Sequence, residues 1–85
     1  MNRIRVFHKG RTLYFNLERK FNLFKRTVSF QFVPVGNQQI ENCNGTLQLV
    51  YDNVEHVFKA NCEELKANYD LRYSLEKYLR ECEVA

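Results

Sequence analysis

One stretch of this chain leaves little choice of fold: residues 2–17, NRIRVFHKGRTLYFNL. Ile4 and Val6 alternate with Arg3, Arg5 and Phe7, and Leu13, Phe15 and Leu17 alternate with Thr12, Tyr14 and Asn16. A period of two is the mark of a strand with one buried face. Lys9-Gly10 supplies a tight turn between the halves, with glycine accepting a positive φ. Pairing His8 with Arg11 sets Val6 opposite Leu13 and Ile4 opposite Phe15 on one face. The same pairing sets Arg5 opposite Tyr14 and Arg3 opposite Asn16 on the other. A slip of one residue would send every side chain to the wrong face, so the pattern specifies its own register.

Further strands follow. Val28, Phe30 and Phe32 share one face of residues 27–33, Thr27, Ser29 and Gln31 share the other, and Pro34 ends the run because it cannot donate to a ladder. The intervening RKFNLFKR at 19–26 has no clean alternation and reads as a loop or a single helical turn. Residues 36–45 read as a polar loop. Two more strands are expected at 46–51 and 54–59, joined at Asp52-Asn53, with Tyr51 opposite Val54. That register puts Leu47, Leu49, Phe58 and His56 on one face, where His56 reads as a hydrogen-bonded core histidine.

The last quarter is helical. Asn61 followed by Glu64 resembles a capping box. Leu71, Leu75, Tyr78, Leu79 and Cys82 form one stripe. Cys62, Leu65 and Tyr69 form another, rotated by roughly 120° at 100° per residue. A straight helix would splay the two, so a kink is expected near residues 68–70, with Asp70 as a second cap. Glu76 and Arg80 are spaced to pair on the exposed side. The expected fold is α+β: one domain over residues 1–85, with a four- to five-stranded antiparallel sheet and a C-terminal, kinked helix on one face. Its core comprises Ile4, Val6, Leu13, Phe15, Val28, Phe30, Phe32, Leu47, Leu49, Phe58, Leu65, Leu71, Leu75 and Leu79.

Charge is distributed unevenly over this plan. Residues 1–35 carry eight basic side chains and one acid, for +7, whereas residues 36–85 carry five basic and nine acidic side chains, for −4. Seven of the twelve aromatic residues lie in the basic part. Such a separation makes a directed field that favours an anionic partner. In the hairpin register, the face opposite the core presents Arg3, Arg5, Phe7, Tyr14 and Asn16, joined by Thr27, Ser29 and Gln31. Cations that hold phosphates, rings that stack on bases and short polar groups that read edges are the means by which β surfaces grip single-stranded nucleic acid. The residues expected to bind a nucleic acid or a protein partner are Arg3, Arg5, Lys9, Arg11, Tyr14, Arg19, Lys20, Phe24, Lys25 and Arg26. The competing outcome is that the acidic helix lies across these strands and neutralises them.

No catalytic signature is present: no glycine-rich phosphate loop, no GxSxG, no HExxH and no metal-spaced Cys/His set. The chain is therefore expected to be a binding protein without enzymatic activity, cofactor or metal. Cys43, Cys62 and Cys82 stand about twenty residues apart with no CxxC, which reads as reduced thiols in the cytoplasm, with one disulfide and a free thiol as the alternative. MNRIRVFHKG has charges where a signal peptide needs an apolar run, and no run approaches the roughly 18 residues of a membrane span. RKFNLFKR mixes cations and aromatics as interfacial segments do, but it is only eight residues long and has no sustained apolar stripe, so no membrane partner is expected. In size, β-then-α order and richness in Asn, Lys, Phe and Tyr, the chain resembles small phage-encoded accessory proteins. That resemblance implies the second functional expectation, a protein–protein inhibitor that blocks a host nuclease, polymerase or defence complex. A homo-oligomer through an uncovered sheet face is a further expectation.

Overall fold

The computed structural model describes residues 2–36, 38, 40, 45–60 and 62–83. It is an α+β fold. Five strands, β1 (Asn2–His8), β2 (Arg11–Asn22), β3 (Thr27–Pro34), β4 (Leu47–Asp52) and β5 (Val57–Ala60), form one antiparallel sheet in sequence order. Two helices, α1 (Glu63–Ala67) and α2 (Tyr69–Cys82), pack on one of its faces. No helix among the described residues is long and apolar enough to cross a membrane.

The first hairpin has the register its alternation requires, from Arg3 opposite Asn16 to His8 opposite Arg11. Its two-residue turn places Lys9 at φ 49° and Gly10 at φ 74°, the left-handed pair that matches strand twist. Strand β2 then runs on through residues 19–22, which the sequence had suggested to be loop or helical turn. Arg19 pairs with Phe30 and Asn22 with Thr27. The turn itself occupies residues 23–26, where Asn22 Oδ1 accepts the Lys25 N–H at 3.1 Å and Arg26 lies at φ 53°.

The β4–β5 connection is also longer than expected. Tyr51 pairs with Phe58, not Val54. Asp52 Oδ1 accepts the N–H groups of Val54 (2.8 Å) and Glu55 (3.1 Å), and the Asp52 carbonyl accepts His56 N–H. This winds a four-residue turn that ends with His56 at φ 58°. The two turns share one plan, an Asn or Asp whose side chain bonds backbone two to three residues on, followed by a left-handed residue. They lie side by side, joined by Asn53 N–H to the Arg26 carbonyl at 3.0 Å. His56 is thus an exposed turn residue and not part of the core, although its Nδ1 shares a 3.1 Å hydrogen bond with the Tyr51 hydroxyl.

The helices cover the face built from Ile4, Val6, Leu13, Phe15, Val28, Phe30, Phe32, Leu47, Leu49 and Phe58, all buried. Leu65 of α1 and Leu71, Leu75 and Leu79 of α2 close the core, which also takes in Leu17 and Tyr51. Phe15 and Phe32 meet edge to face at its centre, 5.6 Å between ring centroids. The helical segment breaks at Asn68 (φ −120°, ψ 85°), as the two stripes demanded, but Asn68 and not Asp70 is the cap: its Oδ1 accepts the Leu71 N–H at 3.1 Å. Tyr69 and Cys82, expected in the stripes, are exposed. Asn61 lies outside the described residues; Cys62 precedes α1 and makes no side-chain cap. Glu76 pairs with Arg72 at 2.7 Å instead of with Arg80. The reason is long-range. Arg72 also donates to the Phe58 carbonyl at 3.1 Å, and the Arg80 guanidinium lies 4.8 Å over the Phe58 ring, so both arginines tie α2 to the edge strand β5.

Candidate nucleic-acid interface

The face of the sheet turned away from the helices is built from the positions that alternate with the core residues. Strand pairing arranges it in rows. Phe7 lies beside Thr12, Arg5 beside Tyr14, and Arg3 beside Asn16 and then Val33. Glu18, Gln31 and Gln48 make a fourth row, and Lys20, Ser29, Val50 and Lys59 a fifth. Every residue in these rows is exposed or half-buried. Phe7 is 73% exposed and Tyr14 37% exposed.

Tyr14 is held in a defined position. Strand β3 ends at Pro34, opposite Phe15, because proline has no N–H to continue the ladder. Val35 N–H reaches the Tyr14 carbonyl at 3.1 Å, and Gln38 Oε1 accepts the Tyr14 N–H at 2.6 Å. The Gln38 amide also donates to the Val35 carbonyl at 2.8 Å, so its side chain substitutes for a missing strand residue. The Arg3 guanidinium lies 5.5 Å from the Tyr14 ring centroid. This sets a cation and an aromatic ring side by side on the open face.

The ten residues expected to bind fall into separate places. Arg3, Arg5, Tyr14 and Lys20 share the open face. Lys9 and Arg11 lie at the β1–β2 turn on the helix side, where Lys9 meets Asp70 at 3.3 Å. Arg19 projects on the helix side too and forms a two-point ion pair with Glu83. That bond to the Glu83 carboxylate raises the Arg19 pKa above its ordinary value. Phe24, Lys25 and Arg26 lie in the β2–β3 turn. The acidic helix therefore lies on the core face, and among the described residues only Lys9 and Arg19 of the N-terminal cations form ion pairs with it. Arg3, Arg5, Arg11, Lys20, Lys25 and Arg26 form none among the described residues. On the open face Lys59 is held by Asp52 (3.6 Å) and Glu55 (3.8 Å), and Glu18 is the one acid standing among the cations of β1 and β2.

Two clusters were not visible in the sequence because they join residues more than sixty positions apart. His8 Nδ1 lies 2.9 Å from Ser74 Oγ, which itself donates to the Asp70 carbonyl at 3.1 Å. Burial lowers the His8 pKa from its usual value; Lys9 and Arg11 act in the same sense and Asp70 opposes them. The second is a concavity of about 380 Å³ between the end of α2 and the sheet, lined by Arg19, Phe21, Tyr51, His56 and Glu83 among others. Its arginine and glutamate pair with each other. Cys62 and Cys82 are free thiols; Cys43 lies outside the described residues. Compared with protein-family models, with curated proteins and with solved structures, the chain matches none.

Proposed function

We propose that this chain is a non-enzymatic binding protein whose open sheet face takes single-stranded nucleic acid. Arg3, Arg5 and Lys20 hold phosphates. Tyr14 and Phe7 stack on bases, and Asn16, Ser29, Gln31 and Gln48 offer neutral donors and acceptors to base edges or a 2′-hydroxyl. One observation carries the reading: Arg3, Arg5 and Tyr14 lie together on a surface that the acidic helix does not cover.

Glu18 favours a second reading. A polyphosphate must run past this carboxylate, whereas a folded partner can offer it a cation. An acidic groove on a host enzyme or defence complex would then occupy the same face, and the chain would act as its inhibitor. Nuclease treatment separates the two. Partners lost after digestion support the first reading; one stoichiometric protein that survives digestion supports the second.

A further inference from the structure

The β2–β3 hairpin ends in an apolar tip that neither the core nor the open face uses. Phe21 is 67% exposed, Leu23 89% and Phe24 fully exposed, and Val54 in the adjoining turn is 60% exposed. Exposed apolar side chains grouped in this way mark an interaction site. Lys20, Lys25 and Arg26 surround it and form no ion pair among the described residues. Nearby Asp52 and Glu55 are both held by Lys59. A second copy of the tip would therefore be repelled, and an anionic surface attracted.

Two acceptors of the tip are already paired. Asn22 Oδ1 is taken by Lys25 N–H, and the Arg26 carbonyl by Asn53 N–H. Backbone groups bonded internally lower the cost of leaving water. Leu23, an aliphatic side chain, is no stacking partner for a base. The short length of RKFNLFKR and its lack of a sustained apolar stripe argue against an interfacial helix; a hairpin tip needs neither, since its apolar residues stand at or beside one turn. From these features we infer that the tip inserts Phe21, Leu23 and Phe24 into the headgroup boundary of an anionic lipid surface, with Lys20, Lys25 and Arg26 against the headgroups. This does not depend on the nucleic-acid reading of the open face.

The test is co-sedimentation of nuclease-treated protein with phosphatidylcholine vesicles, with and without phosphatidylserine. Each cation near the surface contributes roughly a fivefold preference for the anionic membrane, so three give about a hundredfold. The Leu23→Ser, Phe24→Ser variant should lose binding at least tenfold with an unchanged melting curve, because neither side chain packs on the core. The Arg3→Glu, Arg5→Glu variant should bind vesicles as the unaltered protein does. Failure to bind anionic vesicles, or binding that survives the double serine change, overturns the proposal. So does nucleic-acid binding that requires Leu23 and Phe24 while vesicles are ignored.

Discussion

Reversing Arg3 and Arg5 to glutamate should remove most of the salt dependence of nucleic-acid binding. Three cations on the open face form no ion pair among the described residues: Arg3, Arg5 and Lys20. Each phosphate neutralised on a single strand contributes a slope of about −0.7 in log affinity against log salt, so the unaltered protein should show a slope near −2. Affinity should then fall roughly 20-fold between about 50 and 200 mM salt. The double variant keeps only Lys20, with a slope near −0.7 and a loss of roughly threefold over the same range. At about 0.1 M salt the lost contacts alone weaken binding on the order of 25-fold, and the new carboxylates add repulsion. The assay is fluorescence anisotropy of a short labelled single-stranded oligonucleotide in a salt series. Both arginines are exposed, so thermal melting should show an intact fold. Arg11→Glu serves as the control: Arg11 pairs with His8 on the helix side, and its change should leave affinity within about twofold, screened by intervening water and salt. A slope unchanged in the double variant, or an equal loss from Arg11→Glu, would refute the assignment of the face.

Four further outcomes are expected. Glu18→Gln should tighten oligonucleotide binding severalfold in the same assay, since it removes the one carboxylate beside the phosphate path; under the protein-inhibitor reading it should weaken partner binding instead. Phe15→Ala, which empties the fully buried centre of the core, should cost about 3–5 kcal/mol in urea unfolding, enough to unfold much of so small a protein. Asn68→Ala should cost about 1 kcal/mol by the same measurement through loss of the α2 cap, while Asp70→Ala, which removes an exposed carboxylate paired with Lys9, should cost less. His8 is held below its ordinary 6.5, so the folded state favours the neutral ring and the unfolded chain takes the proton first. Stability from His8 is therefore full above about pH 6.5 and declines as pH falls toward the folded value; the urea midpoint should drop more between about pH 7.5 and 5 in the unaltered protein than in His8→Gln.

The sheet was legible where both faces of a strand carried a pattern. Residues 2–17 fixed their register because Ile4, Val6, Leu13 and Phe15 need one side and Arg3, Arg5 and Tyr14 the other. Residues 19–22 escaped for a physical reason. Arg19 occupies a core-side position, but at the rim, where Glu83 arrives from the far end of α2 to meet it. Nothing local announces that partner, so the alternation looked broken. Strand β5 kept its buried face despite a wrong turn, since the four-residue shift from Val54 to Phe58 preserves parity. The turn itself was decided by the Asp52 side chain bonding two N–H groups, which composition alone does not reveal. As for the interface, the open-face positions of Arg3, Arg5 and Tyr14 could be read from alternation. The attachment of Lys9 to Asp70 and of Arg19 to Glu83 could not, because it depends on where the helix runs.

The most direct measurement is an NMR titration of the isotope-labelled protein with a single-stranded oligonucleotide. The predicted result is a set of backbone shifts at Arg3, Arg5, Tyr14 and Asn16, extending to Gln31 and Gln48, with α2 from Leu71 to Leu79 unmoved. Shifts confined to the helical layer, or none at low salt, would contradict the account.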